Sequence, residues 1–530
     1  MTDHRCSITS KETSRIDTQV IRGSIEDLLA MNGWVTASCS TLIRPFGQNR
    51  REDAWDDLLH QNHLYYIAII IHSADHFLLD QLAVIVQMAR RLGPQTLFVS
   101  MLDYASEDAT PTLLDLCEAV LTLLAVPFRI RHVPRMTEDP KAGYYPMEEA
   151  YTRNLALEPL WELKERRSIQ FHRVIWLKGF TCPNDILETI KVSQSNNAAL
   201  VCGMDWAEVN GAFIFSDRYM RSLSISPLQL KQPSRWRARD MDGDVFRRAE
   251  SSAPPESGPP RHKISAARYG QHLPFQVFCC ESGTHVVDPE QSYYKGLRYR
   301  HGIHFHNSTR EEPVTEWDRT QPCQESTQGW FCRDLWVDAA RDGTRDERAG
   351  GRADAIAWEE AMVKGQPEKK KKLPTEKEDT TTAEGDTSTQ DPPTIRKRAP
   401  ADADGSPNEE AKAGSNADTM PEGASEELMA DEDETPAIPN GSFKPARILM
   451  NPRCVTTYAG VSHSQLALDL FADGDDDVAT RGGKYVLDDW EGAPSSFTCQ
   501  EQRQTGGRKA VKTQRRHGFA IHKELVNPAS

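Results

Sequence analysis

Residues 65–103 decide the fold, and they read YYIAIIIHSADHFLLDQLAVIVQMARRLGPQTLFVSMLD. The continuous apolar run Tyr65–Ile71 has the length of a strand, and it predicts a strand buried on both faces, as in a parallel sheet. Apolar residues at helical spacing follow, and Gly93 marks the end of that predicted helix. Thr96–Leu102 is the next apolar run. The order strand, helix, strand predicts parallel neighbours joined by a crossover helix.

The same pattern continues towards the C-terminus. The further predicted elements are a helix at Thr110–Ala125, a strand at Phe128–Val133, a helix at Met147–Lys164, a strand at Arg173–Leu177, a helix at Pro183–Val192 and a strand from Ala199. We therefore predict an α/β fold with a mainly parallel sheet and flanking helices. Ligands of such sheets bind at the carboxyl ends of the strands, which points to His72–Asp75 and Asp103–Asp108.

Composition changes sharply in the second half of the chain. Between Arg341 and Ser442 the one aromatic residue is Trp358, and charged residues, Thr, Pro and Gly dominate. Such a stretch buries too little apolar surface to offset the entropy of ordering, which predicts a long disordered insertion. The predicted organisation is an N-terminal segment (1–61), a core (62–340), the insertion (341–442), a core continuation (443–475) and a C-terminal tail (476–530).

Properties of the whole chain bear on its partners. The net charge of −15 argues against nucleic acid, because nucleic-acid-binding proteins usually carry a basic face. Tyr65–Ile71 is far shorter than the ~20 residues that a membrane span needs, and the N-terminus has no signal-peptide apolar region. We expect a soluble chain without a visible export signal or transmembrane segment. Eleven scattered cysteines allow no disulfide framework to be inferred, and buried packing is favoured over nucleophilic roles for Cys279 and Cys280.

Seven blocks occur in one order along the chain: LGPQTLFVSMLDYASEDAT, YTRNLALEPL, VIWLKGFTCPNDIL, CGMDW, PFQVFCCESG, FCRDLW and NPRCVTTY. Together they resemble the fungal capsule-associated mannosyltransferases, glycosyltransferase family 69. The resemblance covers about Tyr65–Trp336 and Arg447–Phe471. It implies a GT-A-like (Rossmann-like) fold and transfer of mannose from GDP-mannose to a glycan hydroxyl in polysaccharide biosynthesis, with an α-1,3 linkage favoured. It also implies a divalent cation such as Mn²⁺.

The resemblance assigns donor-binding roles to two blocks. Asp103, Ser106 and Asp108 match the family's first nucleotide loop, and the alternative is a turn with helix-capping side chains. Arg153 and Asn154 match an Arg-Asn-x-Ala-Leu block of the family. The alternative for this pair is a structural role within a packed helix.

The chain departs from the family at the end of the third buried strand. The family usually has Asn-Asp there as its metal motif, whereas this chain has Lys178 and Gly179. A protonated Lys cannot bind a cation, but its ammonium neutralises phosphate. Three interpretations remain open: metal-independent transfer, a metal held by acids elsewhere, or loss of activity. Asp205 and His463 are the candidate metal ligands, against structural roles for each.

Three acidic residues are candidates for the catalytic side of the reaction. Glu281 falls where the family has a polar pair that lines the acceptor side. Glu325 precedes the FCRDLW block and Asp334 lies within it. A carboxylate there suits a general base that accepts the proton of the acceptor hydroxyl, or a contact to a metal ion. The alternative for each is a structural salt bridge.

The resemblance and its departures leave three functions in competition. The first is a mannosyltransferase with a nucleotide-sugar donor and a glycan acceptor. The second is an inactive transferase-like protein that binds nucleotide sugar or glycan, which Lys178 and Gly179 favour. The third is a scaffold that acts through the insertion. The family implies a Golgi or other secretory membrane, and a genuine lack of an N-terminal anchor would imply the cytoplasm. The stretch Tyr219–Arg235 looks foreign, as a translated intron or a loop insertion would.

Overall fold

The computed structural model describes Cys39 and residues 56–215, 238–254, 257–302, 323–364, 438–458, 462–471, 485–507 and 510–526, with the backbone alone for residue 56 and residues 346–364. The chain divides into two compact units, one of residues 1–350 with 437–530 and one of residues 351–436. The first unit holds the sheet and the candidate site. Of the second unit, the structure describes the helical backbone of residues 351–364.

One sheet forms the centre of the first unit. The described strands are β1 Tyr65–Ile71, β2 Leu97–Tyr104, β3 Phe128–Val133, β4 Arg173–Trp176, β5 Phe180–Thr181, β6 Leu200–Val209, β7 Ala212–Phe215, β8 Phe275–Gln276, β9 His285–Val287, β10 Ile448–Thr457, β11 Ser496–Glu501 and β12 Thr513–Gly518. Ten of them form this sheet, in the order β3-β2-β1-β4-β9-β6-β10-β5, with β7 paired to β6 and β8 paired to β10. β1, β2, β3 and β4 are parallel, as are β6 and β10, whereas β9 runs antiparallel between β4 and β6. The predicted α/β class with a mainly parallel sheet is confirmed.

Helices connect the parallel strands and cover the sheet. The described helices are α1 Asp56–His60, α2 Leu78–Leu92, α3 Thr110–Leu123, α4 Tyr145–Arg167, α5 Pro183–Ser195, α6 Lys263–Tyr269, α7 Thr327–Lys364, α8 His463–Phe471 and α9 Ile521–Val526. Helix α4 packs on β1 and β2, and α5 packs on β6, β9 and β10. Gly93 ends α2, as predicted, and its N–H donates to the carbonyl of Ala89.

Strand β1 is buried on both faces, which explains its unbroken apolar sequence. Ile67 and Ile69 lie in one hydrophobic cluster with α2 and α5, whereas Tyr66 and Ala68 lie in a second cluster with α4. Alternate side chains of a strand point to opposite faces, so a sheet covered on both sides needs apolar residues at every position. The two layers of helices thus follow from this one segment.

Residues 485–526, within the predicted C-terminal tail, are part of the core. Strands β11 and β12 form an antiparallel hairpin, and the side chains of Phe497, Phe519 and Ile521 lie in the larger hydrophobic cluster. The prediction of a tail separate from the core is therefore wrong for these residues. The hairpin lies against the residues that precede α7, because Gln502 donates from its backbone N–H to the carbonyl of Gln324 at 3.0 Å.

Helix α7 extends to Lys364 and so enters the range predicted as a disordered insertion. Residues 365–437 lie outside the described residues, and the domain boundaries stay a prediction. The unusual stretch at 219–235 and most of the N-terminal segment also lie outside them. Among the helices that the structure describes, none combines the length and the apolar character needed to cross a membrane.

In the part of the chain that the structure describes, four disulfides join cysteines that are far apart in the sequence. The pairs are Cys39 with Cys182, Cys202 with Cys280, Cys279 with Cys332, and Cys323 with Cys499. The adjacent Cys279 and Cys280 are buried, as predicted, and they anchor one loop to both β6 and α7. Sequence spacing gave no means of assigning these pairs.

Candidate active site

Lys178 follows β4 at the carboxyl end of the central parallel strands. Its side-chain ammonium donates to the backbone carbonyl of Glu281 at 2.9 Å, and its backbone N–H donates to the Thr284 hydroxyl at 3.1 Å. The Thr284 hydroxyl donates back to the Lys178 carbonyl, also at 3.1 Å. Lys178 is therefore held in place by the segment that leads into β9.

Gly179 is held by the close approach of β10. Its φ is +45°, and a Cβ atom at this position would lie 2.4 Å from the backbone oxygen of Thr457 and 3.0 Å from the ring of Tyr458. Gly tolerates positive φ at no steric cost, and it leaves room for the second backbone. The position thus admits no side chain unless β10 or the loop moves.

Replacing Gly179 by Ala is expected to lower the free energy of unfolding by about 2–4 kcal/mol, because strain at positive φ adds to overpacking. Gly211→Ala is the matched control, since Gly211 has a φ of +79° but nothing within 4 Å of its Cβ position. That control is expected to cost only about 1 kcal/mol. Urea denaturation of both variants measures the difference, and equal losses would contradict the role of the Thr457 contact.

Charged side chains from several elements surround Lys178. Burial and then the Arg153 guanidinium lower its pKa, whereas the carboxylates of Asp205, Glu149 and Glu281 raise it, and the net direction is downward. The ammonium is thus flanked by a second cation and by three acids. The cluster thus combines the charges of Lys178 and Arg153 with those of three carboxylates.

Arg153 lies on α4 and its guanidinium is buried. It donates to Glu149 at 3.0 Å and to the side-chain oxygen of Gln328 at 2.9 Å, and it lies over the rings of Trp176 and Tyr299. Burial lowers the pKa of Arg153, but Glu149 and other neighbours raise it above its usual value. Arg153 therefore remains a fixed positive charge beside Lys178.

Asp205 occupies the middle of β6 and is almost completely buried. Its backbone N–H donates to the Ser282 hydroxyl at 2.8 Å, and the Tyr458 hydroxyl donates to its carboxylate at 3.4 Å. The carboxylate lies close enough to Lys178 to raise its pKa. Asp205 therefore joins the Lys178 cluster.

Glu281 and Glu325 form the acidic side of the site. The Ser326 hydroxyl donates to the carboxylate of Glu281, and the Glu325 carboxylate forms an ion pair with Arg239 inside the core. Burial is the main influence that raises the pKa of Glu325 to about 7; Arg239 opposes it and Glu281 adds to it. A carboxyl group that titrates near neutral pH is suited to proton transfer.

The pKa of Glu325 makes stability depend on pH. The folded-state pKa lies above the ordinary value of 4.5, so the folded protein binds the proton more tightly than the unfolded chain. This contribution is fully present below about pH 4.5, and it is lost as the pH rises through about 7. It amounts to roughly 3 kcal/mol at 1.36 kcal/mol per pKa unit.

Urea denaturation between pH 4.5 and 8 measures this effect. The free energy of unfolding of the Glu325→Gln variant, which removes the titration, is expected to change less over this range than that of the wild type. Parallel profiles for the two proteins would show that Glu325 does not titrate there.

A separate polar network follows β1 and β2. The Ser106 hydroxyl donates to the Asp103 carboxylate and accepts the backbone N–H of Ser73 at 2.7 Å, and His132 contacts Asp103 at 3.0 Å. The Asp108 carboxylate accepts the N–H of Thr110 at 3.1 Å, the first residue of α3. Burial would raise the pKa of Asp108, but hydrogen bonds from Thr110 and Asp75 lower it. These residues shape the loop, as the capping alternative required, and they lie at the predicted edge of the sheet.

Three predicted site residues have other partners. The side-chain amide of Asn154 donates to the carbonyl of Tyr299 at 2.7 Å and accepts its N–H at 3.0 Å. Asp334 forms a two-bond ion pair with Arg300, at 2.9 and 2.7 Å. His463 contacts the Thr457 hydroxyl at 3.0 Å and the sulfur of Cys182 at 3.2 Å. In the structure these residues make the structural contacts that we named as alternatives.

Comparison with known proteins decides the family. The family model described as cryptococcal mannosyltransferase 1 matches residues 64–324, about half of the chain. Over these residues the chain belongs to the cryptococcal mannosyltransferase 1 family. The match contains β1 to β9 and most of the candidate site.

Solved structures give a more distant likeness. S. aureus TarS 1–349 is 9% identical with a TM-score of 0.24, and the match covers 52% of this chain and 56% of that one. Mannosyltransferase PcManGT from Pyrobaculum calidifontis, in complex with GDP-Man and Mn²⁺, is 10% identical with a TM-score of 0.22, over 44% and 47% of the two chains. The chain thus spans about half the length of these structures. No curated protein matches the chain.

The residues around Lys178 do not fit a divalent metal. The ammonium of Lys178 repels a cation at this position. Among the described residues, neither group of three or more potential metal-ligand atoms contains Asp205. Asp205 and His463, the two predicted ligands, are thus not brought together in such a group. We derive no step of the reaction through a metal at Lys178.

Several residues of the site were not predicted from sequence. The hydroxyls of Thr181 and Thr456 lie 2.8 Å apart, and the Thr181 hydroxyl lies 2.8 Å from that of Thr284. They fix the strand ends around Lys178. Thr181 and Thr456 lie in the blocks VIWLKGFTCPNDIL and NPRCVTTY, on which the predicted resemblance was based, and that position was the available signal. Glu149, which bonds Arg153 one helical turn away, was also missed.

Proposed function

We propose that the chain is a mannosyltransferase that moves mannose from GDP-mannose to a glycan hydroxyl, with the α-1,3 linkage that its family suggests. The observation that carries this proposal is the position of Lys178. Its ammonium lies at the carboxyl end of the central strand, next to Arg153, in the part of the chain that the family matches. Ligands of open α/β sheets bind at this edge.

Lys178 and Arg153 are proposed to bind the diphosphate of the donor. A transferase must neutralise the negative charge that develops on the leaving diphosphate, and fixed cations do so without reorganisation. Arg binds phosphate oxygens with two parallel N–H groups, whereas Lys acts as a point charge. In this chain the ammonium of Lys178 takes the charge-neutralising role, so donor binding is expected to be independent of Mn²⁺. Asp103, Ser106 and Asp108 are proposed to shape the nucleoside side of the site.

Glu281 is proposed to accept the proton of the acceptor hydroxyl. Its backbone carbonyl binds the Lys178 ammonium, which places the carboxylate next to the donor site. Ser326 orients that carboxylate, and Glu325 is locked to Arg239 behind it. Glu325 is 1% exposed and Glu281 is 7% exposed, so Glu281 is the better placed to contact substrate. We propose Glu325 as a positioning residue whose charge state affects Glu281.

Calorimetric titration with GDP-mannose, with and without Mn²⁺, tests the proposal. Binding is expected in both conditions with equal affinity, and transfer of labelled mannose to a mannose-containing glycan is expected to follow. Absence of binding in both conditions would refute a transferase. Binding without transfer would favour an inactive nucleotide-sugar-binding protein, the alternative that the loss of the acidic motif supports. Binding only with Mn²⁺ would refute the role of Lys178.

By family analogy we further propose that the protein acts in the secretory pathway. Four disulfides support this, because disulfides persist in oxidising compartments and are rare in the cytosol.

A further inference from the structure

A cluster of three buried side chains includes Cys182, which lies four residues after Lys178 in the sequence. Cys182, Asp185 and His463 bring one sulfur, one carboxylate oxygen and one imidazole nitrogen within 4.8 Å of one another. The sulfur of Cys182 lies 3.2 Å from Nε2 of His463. In a tetrahedral zinc site, with S and N ligands at about 2.3 and 2.0–2.1 Å, these atoms are separated by roughly 3.5 Å. The sulfur and the nitrogen thus lie close to the separation found in a zinc site, and the Asp185 carboxylate lies within 4.8 Å of both.

The neighbours of the cluster hold the ligands in orientation. Nδ1 of His463 lies 3.0 Å from the Thr457 hydroxyl, which leaves Nε2 directed at the sulfur. The backbone N–H of Val455 donates to the Asp185 carboxylate at 3.3 Å. Hydrogen bonds of this kind, one shell behind the ligands, fix the tautomer of a ligating His and the direction of a carboxylate. Cys182 is the N-cap residue that precedes α5 and Asp185 lies in the first turn of that helix, so the local backbone limits their spacing.

The disulfide with Cys39 prevents Cys182 from binding a metal, because zinc binds a thiolate and not a disulfide sulfur. This disulfide is also more exposed than the other three disulfides among the described residues. Cys39 is half-buried, whereas both cysteines of each other pair are fully buried, at 0–1% exposure. Exposed disulfides are the more labile ones, so a small reductant is expected to reach this bond first.

We propose that reduction of the Cys39–Cys182 disulfide creates a binding site for Zn²⁺ made of Cys182, Asp185 and His463. An external dithiol supplies two electrons and two protons to the bond and becomes a disulfide itself. Cys182 then releases its thiol proton to solvent when it binds the metal, and water fills the fourth position. Because Cys182 and Asp185 lie at the N-terminal end of α5 and His463 begins α8, the metal would link these two helices after the link to Cys39 is lost. The proposal does not depend on the transferase assignment.

Two variants with the same number of thiols test the site. Cys39→Ser frees the sulfur of Cys182, whereas Cys182→Ser frees that of Cys39 and removes a ligand. Co²⁺ is the probe, because a thiolate ligand gives it a charge-transfer absorption band in the near ultraviolet. We expect one equivalent of Co²⁺ with this band in C39S and none in C182S or in the oxidised wild type. A band of equal strength in C39S and C182S, or none in C39S, would overturn the proposal.

The role of His463 is tested in the same background. His463→Ala in C39S is expected to weaken Co²⁺ binding at least tenfold, and unchanged binding would exclude His463 as a ligand. If C39S does not fold, the wild type is reduced with dithiothreitol under native conditions, and alkylation of each cysteine is followed by mass spectrometry with and without Zn²⁺. Zn²⁺ is expected to slow alkylation of Cys182 at least tenfold and to leave Cys39 unaffected. Equal rates at Cys182 in both conditions would refute the site.

Discussion

Replacing Lys178 by Met is expected to weaken the binding of GDP-mannose by about 10- to 100-fold. The side chain keeps its length but loses the ammonium that we propose binds the diphosphate. Hydrogen bonds to charged groups contribute about 1.5–3 kcal/mol, and each 1.4 kcal/mol corresponds to a factor of ten in affinity. Calorimetry with GDP-mannose measures the loss. Because no acid replaces the lost cation, added Mn²⁺ is expected not to restore binding.

Two control variants separate the effect of losing the charge of Lys178 from an effect on folding. Lys178→Arg keeps a cation and is expected to retain most of the affinity. Lys191→Met removes a cation that forms an ion pair with Asp57 at 2.7 Å. Lys191 lies eight residues along α5 from Pro183, which is about 12 Å at the rise of an α-helix. This variant is expected to bind donor as the wild type does. Equal affinities of K178M and wild type would show that Lys178 does not touch the diphosphate.

Replacing Glu281 by Gln is expected to lower kcat by about 10²- to 10⁴-fold, the range for the loss of a general base. The amide keeps the shape of the carboxylate but cannot accept the proton of the acceptor hydroxyl. The KM for GDP-mannose is expected to change little, because we propose that Lys178 and Arg153 make the donor contacts. Steady-state kinetics with labelled donor separates the two parameters.

Glu162→Gln is the matched control for this second prediction. Glu162 lies on the solvent-exposed part of α4 in an ion pair with Arg129, and its replacement is expected to leave kcat unchanged. A normal kcat in E281Q would place the base elsewhere. A loss of donor affinity equal to the loss of kcat would instead assign Glu281 to donor binding.

The parts of the fold that sequence predicted are those with a strong local pattern. β1 and β3 have the predicted bounds, and α2 and α3 differ by a few residues, because apolar periodicity records burial directly. The hairpin of β11 and β12 carries no such signal. β12 reads TQRRHG, and its pairing depends on contacts with distant segments, one of them through the disulfide between Cys323 and Cys499. Contacts of this range are not encoded in local spacing.

The candidate site was predicted in part. The topology rule placed Asp103 and Ser106 at the carboxyl edge of the sheet, and the blocks of the family pointed to Arg153, Lys178 and Glu281. Whether the other predicted residues belong to the site depends on the partners of their side chains, and the sequence does not show those partners. Asn154 stands next to Arg153, yet its amide is fully used by the backbone of Tyr299, because adjacent residues of a helix point in different directions.

The contact between Gly179 and Thr457 limits how this part of the site can change by mutation. Any side chain at position 179 has to displace the backbone of Thr457 or the ring of Tyr458, the residue that follows β10. A substitution of Gly179 therefore lowers stability before it can alter the chemistry of the site. We expect position 179 to accept a side chain only when the backbone at 457 or the side chain at 458 changes as well.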